Sequence, residues 1–120
     1  MSRIAAVLWV ILLTGCATNQ AARQDALIAW TRYYEGQMGL EDNAVVFGHL
    51  PKDWCGAAFA SRIYFGDFIG YDTAKKRCSL MSPKELALHE TCHVRYAHTH
   101  RDGNDRAKHR EVRVCADHYR

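Results

Sequence analysis

Residues 89–93 read His-Glu-Thr-Cys-His, two histidines four apart with a glutamate beside the first, and these are the residue types a hydrolytic metal centre needs. In a helix, side chains at i and i+4 lie on one face a turn apart, so His89 and His93 can direct ring nitrogens at one zinc ion at about 2.0–2.1 Å. Glu90 is rotated by about 100° from His89, which puts its carboxylate near the metal without making it a ligand. From there it can act as general base, taking a proton from the attacking water while the metal polarises a carbonyl. Catalytic zinc usually has three protein ligands and one open position, so a third ligand is expected elsewhere in the chain.

The motif needs a helix to hold it. Ser82-Pro83-Lys84-Glu85 has the marks of a helix start, with Ser as cap, Pro at the first helical position and Glu three residues after the cap. Leu86, Leu88, Cys92 and Tyr96 carry that helix to about His98. A turn-rich stretch, 99–104, precedes a second helix from Asp105 to about His118, with Val112, Cys115, Ala116 and Tyr119 along one side. The two helices should form an antiparallel pair. If the chain reverses near Arg101 to Gly103, positions mirrored from the motif fall at about 110–114, within reach of Glu111 and His109. Glu111 is the expected third ligand and His109 the alternative, with His98 and His100 more remote. Asp117 suits orienting an imidazole from behind, with His118 alongside it. Tyr96, His100, His118 and Tyr119 are candidates to stabilise an oxyanion.

Further upstream, Leu27, Trp30, Tyr34 and Met38 recur at steps of three and four in a helix that Gly39 should end. Ala44 to Leu50 is rich in strand formers and Pro51 stops it. Phe59 to Phe65 and Phe68 to Tyr71 flank Gly66-Asp67, a two-residue hairpin turn. The expected fold class is α+β: a small antiparallel sheet with an N-terminal helix and a C-terminal helical hairpin carrying the motif. His49 stands alone in a strand pattern and reads as structural or exposed.

The 120 residues suit one compact domain, and 48% hydrophobic with 24% charged residues is a globular composition. The net charge of +3 is mild and its basic residues are mixed with acidic ones, which argues against nucleic acid as a partner. Arg3 and the apolar run Ile4 to Leu13 precede Leu13-Thr14-Gly15-Cys16, and ten apolar residues are too few to span a bilayer as a helix. This segment resembles a bacterial lipoprotein signal, which implies cleavage after residue 15, lipidation of Cys16, a tether over residues 16–20 and a domain over 21–120. Ala17 in place of Asp implies passage to the outer membrane, so the expected location is the cell envelope, with lipid as the membrane anchor. In such an oxidising compartment Cys55, Cys78, Cys92 and Cys115 should pair, and the favoured connectivity is Cys55 with Cys78 and Cys92 with Cys115.

Over Ser82 to about Asp117, and more loosely over the upstream sheet, the chain resembles the zincin metallopeptidases. Their His-Glu-x-x-His helix packs under a small sheet. The resemblance implies Zn2+ as cofactor, His89 and His93 as ligands, Glu90 as general base, and a peptide or protein as substrate. Cys92 within the motif and the brevity of the domain look most like the SprT-like and minimal gluzincin branches, with His109 completing a site of the first kind and Glu111 one of the second. The metzincin pattern is excluded, since it needs Gly at Tyr96 and His at Thr99. The implied activity is a zinc metallopeptidase at the envelope. The alternative is a non-catalytic lipoprotein that sequesters or senses metal, which the many histidines between His89 and His118 would suit.

Overall fold

Burial follows the stripe of Leu27, Trp30, Tyr34 and Met38. In the computed structural model, Leu27 and Tyr34 are fully buried in two separate cores, Trp30 packs against both and Met38 against that of Tyr34. The structure describes residues 2–50, 54–59, 61–66, 81–96 and 106–120, with side chains from residue 20 onward except at 106–108. Helix α1 spans Ser2–Met38 and so continues through 16–20, the stretch expected as a tether. Ala, Gln and Arg between 17 and 26 are good helix formers, and no Pro or Gly interrupts them. Among the described residues, no helix is long and apolar enough to cross a membrane. Gly39, at φ 69°, ends α1 in the left-handed conformation. The amides of Gly39 and Leu40 donate to the carbonyls of Gly36 and Glu35, the two bonds of a Schellman cap.

Glu35 then ties this helix end to the sheet. Its carboxylate is fully buried and accepts bonds from Arg32 Nη1 and from the backbone and side-chain nitrogens of Asn43, all at 2.6–2.7 Å. Arg32 also donates to the Asn43 carbonyl at 2.9 Å. The chain leaves this knot directly into strand β1 (Ala44–Gly48).

The sheet has three strands, β2 being Gly56–Phe59 and β3 Arg62–Gly66, in the order β1-β3-β2. It is mixed, where an antiparallel sheet was expected: β1 runs parallel to β3 and β2 antiparallel to it. The chain reverses between Phe59 and Arg62, inside the segment Phe59 to Phe65 that read as one strand. Gly56-Ala57-Ala58 lacks β-branched residues and gave no strand signal, yet it pairs because its small side chains are buried under the helical layer. Phe68 to Tyr71, Asp67 of the expected turn, and Cys78 lie outside the described residues.

Helix α2 spans Pro83–Arg95 and helix α3 Arg106–Tyr119, completing a small α+β fold. Ser82 precedes α2 as expected but makes no side-chain capping bond, and Glu85 turns to Arg120 instead of back to the cap. Helix α2 is buried on two sides. Leu88 and Cys92 join Tyr34, Val112, Cys115 and Ala116 in a core between α1, α2 and α3, while Leu86 and Ala87 join Leu27, Ile63 and Phe65 in a second core over the sheet.

Apolar packing and a disulfide contribute similar amounts to holding α3 to α2. Burying Val112 and Ala116 is worth about 3 kcal/mol together. The Cys92–Cys115 disulfide, at the expected pairing and with a Cα–Cα distance of 6.0 Å, joins residues 23 apart. Closing such a loop in the unfolded chain contributes about 3 kcal/mol. Cys55 is also disulfide-bonded.

Replacing Glu35 with Ala leaves the Asn43 donors and Arg32 around an empty buried site. It is expected to cost about 3–5 kcal/mol in urea unfolding, whereas Asp42→Ala, which removes only an exposed charge 3.8 Å from Arg32, should cost less than about 1 kcal/mol.

Candidate metal centre

The helical spacing of the motif is realised in α2. His93 is buried, His89 is half-exposed, and their Nε2 atoms are 3.1 Å apart. Two ligands on a tetrahedral zinc at about 2.0–2.1 Å are separated by about 3.3 Å, so this pair already stands at ligand spacing. Helix α3 crosses back over α2, with Arg120 at its end meeting Glu85 near the start of α2 and His109 meeting the motif. The ring of His109 lies 5.9 Å from that of His89 and 5.4 Å from that of His93. One nitrogen of each of the three histidines falls within 4.8 Å of the other two. Three imidazoles converging on one point from two helices are a donor set that fits zinc.

Glu111, the expected third ligand, is exposed and outside this cluster, and the alternative, His109, is the residue that stands beside the pair. The cause is helical phase. Residues 109 and 111 differ by about 200° around the axis, so only one can face α2, and the apolar residues Val112, Cys115 and Ala116 decide that it is His109. Spacing mirrored across the reversal is uncertain by one or two residues, which is the whole distance between the two candidates. His98 and His100 lie outside the described residues. Asp117 is exposed and accepts a bond from Arg120. His118 is exposed with its ring against Tyr119, Tyr119 accepts a bond from Arg95, and Tyr96 is exposed at the end of α2. His49 is exposed just past β1.

Glu90 is the unusual group. It is 2% exposed, its Oε1 stands 3.9 Å from His89 Nε2, and among the described residues no donor reaches its Oε2. Burial raises its carboxyl to about 8. What admits it is Gly56 on β2, a residue the sequence reading did not single out. A Cβ there would stand 2.8 Å from Glu90 Cγ and Oε1. A glycine opening a strand and facing a motif glutamate is a signal visible only once β2 is known to lie under α2.

A pocket of about 320 Å³ opens between α2 and α3, lined by His89, His109, Glu85, Val112, Arg113 and Arg120 among others. Arg120 Nε and Nη2 donate to the two oxygens of Glu85 at 2.9 Å each and close one end of it. That bidentate pair holds the Glu85 carboxyl below its usual range.

Two outcomes follow. Gly56→Ala should displace the Glu90 side chain and cost about 1–3 kcal/mol, as read from urea unfolding. In the metal-free protein, Glu90→Gln removes a carboxylate whose raised pKa makes folding take up a proton. Its stability relative to the parent should therefore rise as pH increases from about 4.5 to about 8 and level off above, as read from urea midpoints. A gap that does not change with pH would show that Glu90 is not buried in this way. No protein-family model, curated protein or solved structure matches this chain, so the site stands on its own geometry.

Proposed function

We propose that this chain is a zinc-dependent hydrolase, a metallopeptidase acting on peptide or amide bonds at the cell envelope, to which lipid on Cys16 anchors it. The observation that carries the reading is the convergence of His89, His93 and His109 beside a buried glutamate with an unpartnered oxygen. A site that merely stores metal has no use for such a carboxylate, which costs stability unless something else needs it. His89, His93 and His109 would hold the metal, and a bound zinc supplies a Lewis acid that polarises a carbonyl and activates water for attack. Glu90 takes the proton of the attacking water and returns it to the departing nitrogen. Burial raises its carboxyl in the metal-free protein, and a zinc ion beside it would draw it back toward the ionised form that accepts that proton. The half-exposed edge of His89 faces the pocket, which leaves the approach of an extended peptide open from that side. The mild net charge gives no support to a nucleic acid substrate.

The test is metal content and turnover of a quenched-fluorescent peptide library with the parent and four variants. About one zinc per chain should be found in the parent, in Glu90→Gln and in Glu111→Ala, and should be lost in His89→Ala and His109→Ala. Turnover should fall by at least about 10²-fold in Glu90→Gln with zinc retained. Full activity in that variant would sink the mechanism. Stoichiometric zinc with no turnover of any peptide by the parent would favour the metal-holding alternative.

A further inference from the structure

Two of the three histidines ride on α2 and keep their mutual spacing whatever happens around them. The third depends entirely on where α3 sits. Along α3, His109, Val112, Cys115 and Ala116 follow at steps that keep them on the side turned to α2, and of the described side chains only Val112, Cys115 and Ala116 are buried. Arg110, Glu111, Arg113, Val114, Asp117 and His118 are all exposed. Beside that narrow apolar face, Tyr119 packs at the edge of the core and accepts from Arg95, and Arg120 pairs with Glu85, ties that lie toward the opposite end of the helix from His109. What fixes the helix covalently is the bond from Cys115 to Cys92, and Cys92 lies inside the motif, next to His93 in sequence and fully buried.

We infer that Cys92 and Cys115 are positioning residues for the metal centre: their disulfide sets the spacing of α2 and α3 that brings His109 to His89 and His93, so its reduction loosens metal binding and bound metal protects it from reduction. The inference rests on the metal-binding reading above and adds to it a dependence on redox state. The chemistry is thiol–disulfide exchange with a dithiol. The dithiol transfers two electrons and two protons, the Cys92–Cys115 bond breaks, both cysteines end as thiols, and the dithiol ends as its cyclic disulfide. Because binding free energies are reciprocal, the factor by which the disulfide tightens zinc binding is the factor by which zinc raises the reductant ratio needed to break it. Both sulfurs are buried between the helices, so a reductant reaches them only when α3 moves away, the movement that also withdraws His109.

The test uses the full chain and zinc affinity measured by chelator competition, with circular dichroism confirming that each protein is folded. Cys92→Ser/Cys115→Ser should bind zinc about ten- to a hundredfold more weakly than the parent, the range seen when groups that orient a ligand are lost. His109→Ala should lose at least as much. Combining all three substitutions should cost no more than about twofold beyond His109→Ala alone, because the disulfide acts through that ligand. Equal affinity in the parent and the serine variant would overturn the inference, as would losses that simply add in the combined variant. Titrating the parent with dithiothreitol needs no variant: the reduced-to-oxidised ratio at half reduction should rise about ten- to a hundredfold with saturating zinc, and a midpoint indifferent to zinc would overturn the proposal. Failure of the parent to bind zinc at all would remove the metal-binding reading itself, an outcome distinct from each of these.

Discussion

Everything in this fold leans on the burial of α2. A helix of 13 residues that meets α1, the sheet and α3 has almost no solvent face left, and its hydrophobic residues go to two separate cores. Leu86 and Ala87 serve one and Leu88 and Cys92 the other, so rotating α2 by a single residue would empty both. That rotational lock is also what orients the histidines. Their direction is not set by their own interactions but by the apolar neighbours that leave them one remaining side, the seam with α3.

The same lock forces a charge-bearing group into the interior. Once α2 is placed by its cores, Glu90 points at β2 and has nowhere else to go. The small residues of β2 accept it, Gly56 most of all, and the cost is a carboxyl held far from its ordinary ionisation. Glu35 presents the opposite solution to the same problem, since it is as deeply buried but has every oxygen bonded to Arg32 or Asn43. Two buried glutamates in one small domain, one satisfied and one not, mark the difference between a group that holds the fold and a group the fold must hold.

Local pattern made α1, α2 and α3 readable, because each carries an apolar repeat at steps of three and four and Gly39 and Pro83 punctuate them. The i, i+4 histidines and the Cys92–Cys115 pairing could be read for the same reason: both are decided within one helix or between two neighbours. What escaped was non-local. The strand Gly56–Phe59 has the composition of a loop and becomes a strand only because β3 and α2 cover it. The parallel pairing of β1 with β3 depends on where the chain crosses after Gly48, which no periodicity encodes. The choice of His109 over Glu111 turned on helical phase, a quantity that boundaries uncertain by two residues cannot fix.

The hairpin of β2 and β3 has one more consequence, for the paths along which this sequence can change. Its two strands turn back on each other between Phe59 and Arg62, which stand opposite one another as Gly56 stands opposite Phe65. A residue inserted or deleted in that link would slide β2 by one place and set Cys55 or Ala57 against the motif glutamate, reversing the inward and outward faces of the strand as it did so. The connection between β1 and β2 carries no such register, since the strands it joins are not neighbours in the sheet. Length variation among descendants of this chain should therefore accumulate before β2 and stop at it. The spacing from Gly56 to Arg62, more than the identity of any single residue there, is what inheritance has to preserve.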